Sequence, residues 1–248
     1  MPFVVAGHPA PKSLARLLMA LEAAGADAVE VGIPFSDPIA DGPVIAAAMH
    51  EALVSGTTVT DVLDAMNEVR SSISIPVIAM VSISIVDRLG GVAFIDRLAE
   101  NGFDGVILPD ADLDAIDDLR QRAEQRQMAF TSLIAPDTGI QRARQIAGDA
   151  REFIYLLARR GLTGERSEAP DLHDRVAGLR SLTDLPLAAG FGISTPQHVS
   201  AVLQDADGAI VGSALVRVIS EAVQSGADPF QAARAFVLPL AKVARNTP

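Results

Sequence analysis

The 248-residue sequence contains no cysteine, no tryptophan and one tyrosine, and aromatic residues make up 4% of it. The lack of cysteine excludes disulfides, thiolate catalysis and cysteine-ligated metals. So few aromatics leave little with which to stack nucleic-acid bases. Basic residues are also scarce: 20 Lys and Arg stand against 31 Asp and Glu, for a formal net charge of −11. That balance argues against nucleic acid or an anionic membrane surface as partner. It leaves room for a phosphorylated ligand, because backbone amides bind phosphate locally. No run reaches the ~18 apolar residues of a membrane span. Met1 to Pro9 lacks the basic region and apolar run of a signal peptide, so a cytoplasmic protein is expected. His8, His50, His173 and His198 lack metal-ligand spacing, and the last two are expected on outer helices. No Ser-His-Asp constellation can be argued.

Hydrophobic residues are plentiful, at 49%, so a large core is available. The length suits one α/β barrel or two small domains. Strands are expected at Phe3 to Ala6, Asp27 to Val31, Val77 to Ser82, Gly105 to Leu108, Ala129 to Ile134, Phe153 to Leu157, Leu185 to Ala189 and Gly208 to Val211. Between them lie helical patterns, among them Ser13 to Ala24, a segment capped by Thr60 and ending near Arg70, Val86 to Asn101, and Asp112 to Gln125. Thr138 is expected to cap Gln141 to Gly148, and Asp228-Pro229 to open a last helix. Strict alternation implies a parallel sheet, and eight such units in a chain of this length match a (β/α)8 TIM barrel. No linker divides the chain, so residues 1–248 are read as a single domain. An open doubly wound sheet is the alternative. It usually carries a glycine-rich turn after its first strand, which Gly7-His8-Pro9 is not.

The stretch Val29 to Pro43 carries the most chemistry. A short β-branched strand places Glu30 among apolar neighbours, and Pro34, Pro38, Gly42 and Pro43 then enforce an irregular loop bearing Asp37 and Asp41. A carboxylate in an apolar strand is costly unless a basic neighbour pairs it or a site uses it. Asp37 and Asp41 taken singly are ordinary turn formers. Together with Glu30 they form an acid at a strand's end facing acids in the loop that follows. Near the C-terminus, Gly190-Phe191-Gly192-Ile193-Ser194 follows the seventh expected strand and Gly212-Ser213 follows the eighth. Either segment alone can be a tight turn with a serine cap. Two in succession, one at a helix start, suit an oxyanion.

The run from Glu30 to Pro43, fourteen consecutive positions, resembles the signature of the tryptophan synthase α-subunit family, which includes free-standing indole-3-glycerol-phosphate lyases. The resemblance extends over nearly the whole chain. It implies cleavage of indole-3-glycerol phosphate to indole and glyceraldehyde 3-phosphate, in tryptophan biosynthesis. Glu30 and Asp41 would be catalytic: Glu30 transfers protons, and Asp41 pairs with the indole N–H. Phe3 and apolar strand ends would line the indole pocket, and Tyr155 matches a substrate-lining tyrosine. Gly190, Phe191, Gly192, Gly212 and Ser213 would bind the phosphate. So would the loop from Leu156 to Gly164, which resembles the family's mobile lid; Thr163 in it would pack on the catalytic aspartate, with Gly164 beside it. Asp110 matches a loop-fixing position. No metal or cofactor would be needed, since pyridoxal phosphate belongs to the β partner.

The sequence departs from the family pattern in several places. The family usually has an amphipathic helix before the first strand, which here begins at residue 3. Val81-Ser82-Ile83-Ser84-Ile85 and Asp110-Ala111-Asp112 replace segments that normally lie near the β subunit. Gly7-His8-Pro9 stands where the family favours Gly-Asp-Pro. Binding to a β subunit in an α2β2 complex is thus one expectation. A lyase independent of β, or a non-catalytic relative that binds a phosphorylated ligand or regulates a partner, is the alternative. A different phosphosugar barrel enzyme would need a base on another strand end, and no lysine or histidine candidate stands there.

Overall fold

The structure is a computed structural model that describes residues 1–38, 41–112, 115–157, 172–190 and 192–247. The strands are β1 (Phe3–Val5), β2 (Val29–Gly32), β3 (Val77–Met80), β4 (Gly105–Ile107), β5 (Ala129–Thr131), β6 (Leu133–Ile134), β7 (Ile154–Leu157), β8 (Leu187–Gly190) and β9 (Gly208–Ile210). All pair in parallel, in two runs, β1 to β5 and β6 to β9. β5 and β6 are two halves of the strand expected at Ala129 to Ile134, interrupted at Ser132. The first half pairs with β4 and the second with β7. The circle closes where the Phe3 N–H donates to the Val211 carbonyl (2.9 Å) and the Val211 N–H to the Met1 carbonyl (3.0 Å). The result is a (β/α)8 barrel.

The period of two along each strand sorts the side chains. Val4, Val29, Val31, Val77, Ala79, Val106, Phe130, Ile154, Leu156, Leu187 and Ala189 face outward and merge with the helices into one buried shell. Phe3, Val5, Ile78, Ile107, Tyr155, Ala188 and Ile210 belong to separate clusters inside the barrel. The register Phe3–Glu30–Ile78 puts Glu30 on that inner face.

The helices form where apolar spacing gives each a buried stripe. α1 (Leu14–Ala23) buries Leu14, Leu17, Leu18 and Leu21, three and four residues apart. α2 (Pro43–Val54) begins with proline in its first turn, where the missing N–H costs nothing. It lays Ile45, Ala48, Met49 and Ala52 against Phe3 and Val5. α3 (Val59–Arg70) is capped by Thr58, not by Thr60: its hydroxyl accepts from the Asp61 N–H (3.2 Å), and the Asp61 carboxylate accepts from the Thr58 N–H (2.8 Å). The helix expected over Val86 to Asn101 is two, α4 (Ile83–Arg88) and α5 (Val92–Glu100), parted by Gly90 and Gly91 at φ 101° and 57°.

α6 (Asp117–Gln125) starts later than Asp112, and α7 (Ile140–Asp149) is preceded by Gly139 at its N-cap. Thr138 accepts from the Ala135 N–H (2.9 Å) instead of capping α7. α8 (His173–Arg180), α9 (Pro196–Val202), α10 (Ser213–Gln224) and α11 (Pro229–Asn246) complete the ring, the last opened by Asp228 and Pro229 as expected. At the N-terminal ends of the strands a cavity of ≈ 880 Å³ is lined by Pro2, Ile78, Ala129, Phe153, Ala188 and Ala209 among others.

The Thr58–Asp61 reciprocal cap is exposed, so its loss acts on α3 alone. Thr58→Ala should lower stability by about 1 kcal/mol, read as a reduced urea midpoint with unchanged slope.

Candidate functional site

β2 is short because Gly32 and Pro34 end it, and it delivers Glu30 into the barrel interior. Glu30 has no accessible surface, and neither carboxylate oxygen has a hydrogen-bond partner among the described residues. The Met1 ammonium offsets only part of the desolvation, and the carboxyl pKa is pushed up from 4.5 to about 8. That ammonium donates to the Ala209 carbonyl (2.8 Å), and neither Glu30 oxygen accepts from a basic group among the described residues. Gly32, next on the same face, is small for a reason. A Cβ there would stand 2.6 Å from Phe3 Cζ, so the Phe3 ring occupies that space.

Asp41 lies at the end of the proline-bounded loop, its N–H donating to the Pro38 carbonyl (3.0 Å), immediately before Gly42 caps α2. Burial raises its pKa from 3.8 to about 6. Asp37, in the same loop, is exposed. Tyr155, on β7, is 6% exposed; its phenol pKa is raised by burial first, then by the charges of Glu30 and Asp41. The hydroxyl thus lies within electrostatic reach of both carboxylates. Gly190 at the end of β8 makes room for that ring: a Cβ would lie 2.7 Å from the Tyr155 hydroxyl.

The glycine-rich ends of the last two strands come together, since Gly190 is in register with Ile210 on β9. Gly192 adopts φ 78°, a conformation that favours glycine. Gly212 precedes α10 without any side-chain cap, and no acidic residue lies in the first turn. The first amides of α10, from Ser213 onward, therefore lack intrahelical acceptors and carry the positive end of the helix dipole. A Cβ on Gly212 would come 3.7 Å from Phe3, which places this helix start beside the aromatic wall. Thr163, Gly164 and Phe191 lie outside the described residues.

One positioning contact was not legible in the sequence. Arg175 on α8 donates from Nη2 to the Ile134 carbonyl (2.6 Å) and from Nη1 to the Leu157 carbonyl, tying together the ends of β6 and β7. An arginine in a helix carries no signal of reaching two strand ends. The Asp110 carboxylate accepts from the Ser82 hydroxyl (2.6 Å) and the Ile83 N–H (2.9 Å), fixing the loop after β3. That agrees with the loop-fixing role read for Asp110.

His173 and His198 do lie on α8 and α9, His198 buried there. Among the described residues no group of three or more His, Asp and Glu could hold a metal. The 880 Å³ cavity lies at the opposite end of the barrel from Asp41 and the glycine loops. Of the acids that line it, Asp104 and Asp207 are paired with Arg70 and Arg180, and Asp205 with His173.

Comparison with known proteins decides the family. The family model for the tryptophan synthase alpha chain matches residues 1–245. The chain belongs to the tryptophan synthase alpha chain family. A curated alpha chain from Prochlorococcus marinus is 44% identical over 224 residues, covering 90% of this chain and 82% of that protein. One from Chloroflexus aurantiacus is 43% identical over 218 residues, covering 87% and 82%. Among solved structures, the alpha subunit from Legionella pneumophila superposes with a TM-score of 0.90 at 33% identity, covering 99% of this chain and 92% of that one. A tryptophan synthase from Mycobacterium tuberculosis gives 0.88 at 33% identity, covering 98% and 91%. The chain is accordingly a lyase of tryptophan biosynthesis that cleaves indole-3-glycerol phosphate.

The Glu30 shift has a testable sign. Its folded pKa lies above the ordinary carboxylate value, so the folded state holds more protons between 4.5 and about 8. Stability must therefore fall as pH rises through that window. Glu30→Gln should flatten the part of this slope above pH 6, seen by comparing melting temperatures of both proteins at pH 6 and pH 8.

Proposed function

We propose that Glu30 and Asp41 are the acid–base pair of the cleavage and that Gly190, Phe191, Gly192, Gly212 and Ser213 hold the phosphate, with Thr163 and Gly164 closing over the substrate. The observation that carries this reading is the Glu30 carboxyl, fully buried with no hydrogen-bond donor among the described residues and within electrostatic reach of the Tyr155 phenol, which also feels Asp41. A buried acid without a donor is costly unless it stays protonated or meets a ligand.

With a pKa of about 8, Glu30 is protonated at neutral pH, whereas Asp41 at about 6 is ionised. Different environments thus assign the two carboxyls different roles. Glu30 gives its proton to carbon 3 of the indole. The ring nitrogen becomes positive, and its N–H donates to the Asp41 carboxylate, a charge-assisted bond that strengthens as charge develops. The bond from carbon 3 to the glycerol carbon then breaks, and its electron pair returns to the ring. The hydroxyl on that carbon surrenders its proton to Glu30 as the aldehyde forms. Phe3 and Tyr155 supply apolar walls for the flat ring. The amides at the start of α10 suit the phosphate.

This reading needs no metal or organic cofactor from the chain, and residues 1–248 act as one domain in the cytoplasm. Among the described residues, no helix is long and apolar enough to cross a membrane. A tryptophan synthase β subunit is the proposed partner, with pyridoxal phosphate on its side. The tie between Ser82 and Asp110 occupies the two loops whose sequences differ from the family pattern, which favours a second reading, activity independent of β. Indole release by the chain alone, then with β added, separates the two. Strong stimulation supports the partner, and equal rates support the free-standing enzyme.

Two outcomes test the acid–base assignment. Glu30→Gln should lower kcat for indole release by at least about 100-fold while substrate still binds; unchanged turnover would reject the role. For the unmodified enzyme, kcat/KM against pH should rise through about 6 and fall above about 8. Asp41→Asn should remove the rising limb.

A further inference from the structure

His8 stands in the turn after β1 and is buried, at 4% exposure. Its Nδ1 lies 3.2 Å from Glu51 Oε2 on α2, and its Nε2 lies 3.0 Å from Ser220 Oγ on α10. One imidazole therefore stands between two helices, hydrogen-bonded to Ser220 through Nε2, while its Nδ1 faces the Glu51 carboxylate at ion-pair distance without hydrogen-bond geometry. Ser220 Oγ also lies 3.0 Å from the Val216 carbonyl one turn earlier, so its one proton can go to that carbonyl or to His8 Nε2. Val216 packs in the same cluster as Phe3 and the α2 residues Ile45 and Met49, so the polar bridge rides on an apolar contact between the same two helices.

The two helices have distinct duties at their starts. α2 begins two residues after Asp41, and α10 begins at Ser213, directly after Gly212. A helix is stiff along its axis, so a bridge further along both sets where the two starts stand relative to each other. The substrate must reach from one to the other, with its indole at Asp41 and its phosphate at Gly212–Ser213.

We propose that His8 is a positioning residue that sets the separation between Asp41 and the phosphate-binding start of α10, by tying α2 through Glu51 to α10 through Ser220. This rests on the site reading above. A group that sets spacing has a signature different from one that builds either end. Its loss impairs a ligand that spans both ends and spares a ligand that occupies one, because small misplacements of reacting groups are costly only when both ends are held.

The test compares His8→Ala with the unmodified enzyme for kcat/KM on indole-3-glycerol phosphate and for competitive inhibition by inorganic phosphate. The expected result is a fall in kcat/KM of about tenfold, with the phosphate inhibition constant changed less than about twofold. Glu51→Gln and Ser220→Ala each cut one arm at a less buried position, and they answer the same question if His8→Ala does not fold. Their double variant should fall no further than His8→Ala. Unchanged kcat/KM in the folded variants would overturn the proposal. So would a loss of phosphate affinity equal to the loss in kcat/KM, which would place the effect at one end alone. The site reading fails separately: if Ser213→Asp leaves phosphate inhibition intact, the phosphate does not bind at α10, whatever His8 does.

Discussion

A carboxyl group without a hydrogen-bond donor sits in the closed interior of the barrel, and much of the rest of the structure can be understood from that constraint. An ionised Glu30 in this place would be desolvated with little compensation, so the folded chain keeps it protonated to about pH 8. The barrel imposes this by closing on itself. Once Phe3 pairs with Val211 the sheet curls round on itself, and Glu30 on its inner face is left with no accessible surface. The neighbours on that face are Phe3, Ile78 and Tyr155, which offer bulk but, apart from the Tyr155 phenol, no polar group.

The same enclosure separates the two acids. Glu30 is rooted mid-strand, whereas Asp41 sits in a loop whose prolines hold it at the mouth, where burial is less complete and its pKa rises only to about 6. A pair built from one functional group thereby offers a proton donor and an anion together near neutrality. The glycines serve this geometry in different ways. Gly32 and Gly190 give way to Phe3 and Tyr155, which shape the walls. Gly212 leaves the first amides of α10 uncovered.

Side-chain ties complete the arrangement. Arg175 holds the ends of β6 and β7, Asp110 holds the loop after β3, and His8 joins α2 to α10. Each joins segments far apart in the chain, so the C-terminal mouth is fixed by side chains as well as by the strands beneath it. The break at Ser132 lets β5 follow β4 and β6 follow β7, and it accommodates the sheet's turn within one strand-length of chain.

The sequence by itself determined the alternation of strands and helices, the core stripes, the acidic loop and the glycine-rich strand ends. These are local properties, set by apolar period, by proline and by glycine within a few residues of where they act. It also showed Glu30 as a carboxylate out of place. Helix starts were less legible: Thr58 prevailed over Thr60 because Asp61 could return its hydrogen bond, and Gly90-Gly91 broke a helix that the apolar pattern would have carried through. Only the tertiary structure decided that Glu30 finds no hydrogen-bond partner among the described residues, that Tyr155 feels both acids, and that His8 reaches Glu51 and Ser220. Those facts depend on register around a closed barrel and on contacts between residues as distant in sequence as 8 and 220. No local period encodes such contacts, because the chain brings them together only when the last strand pairs with the first.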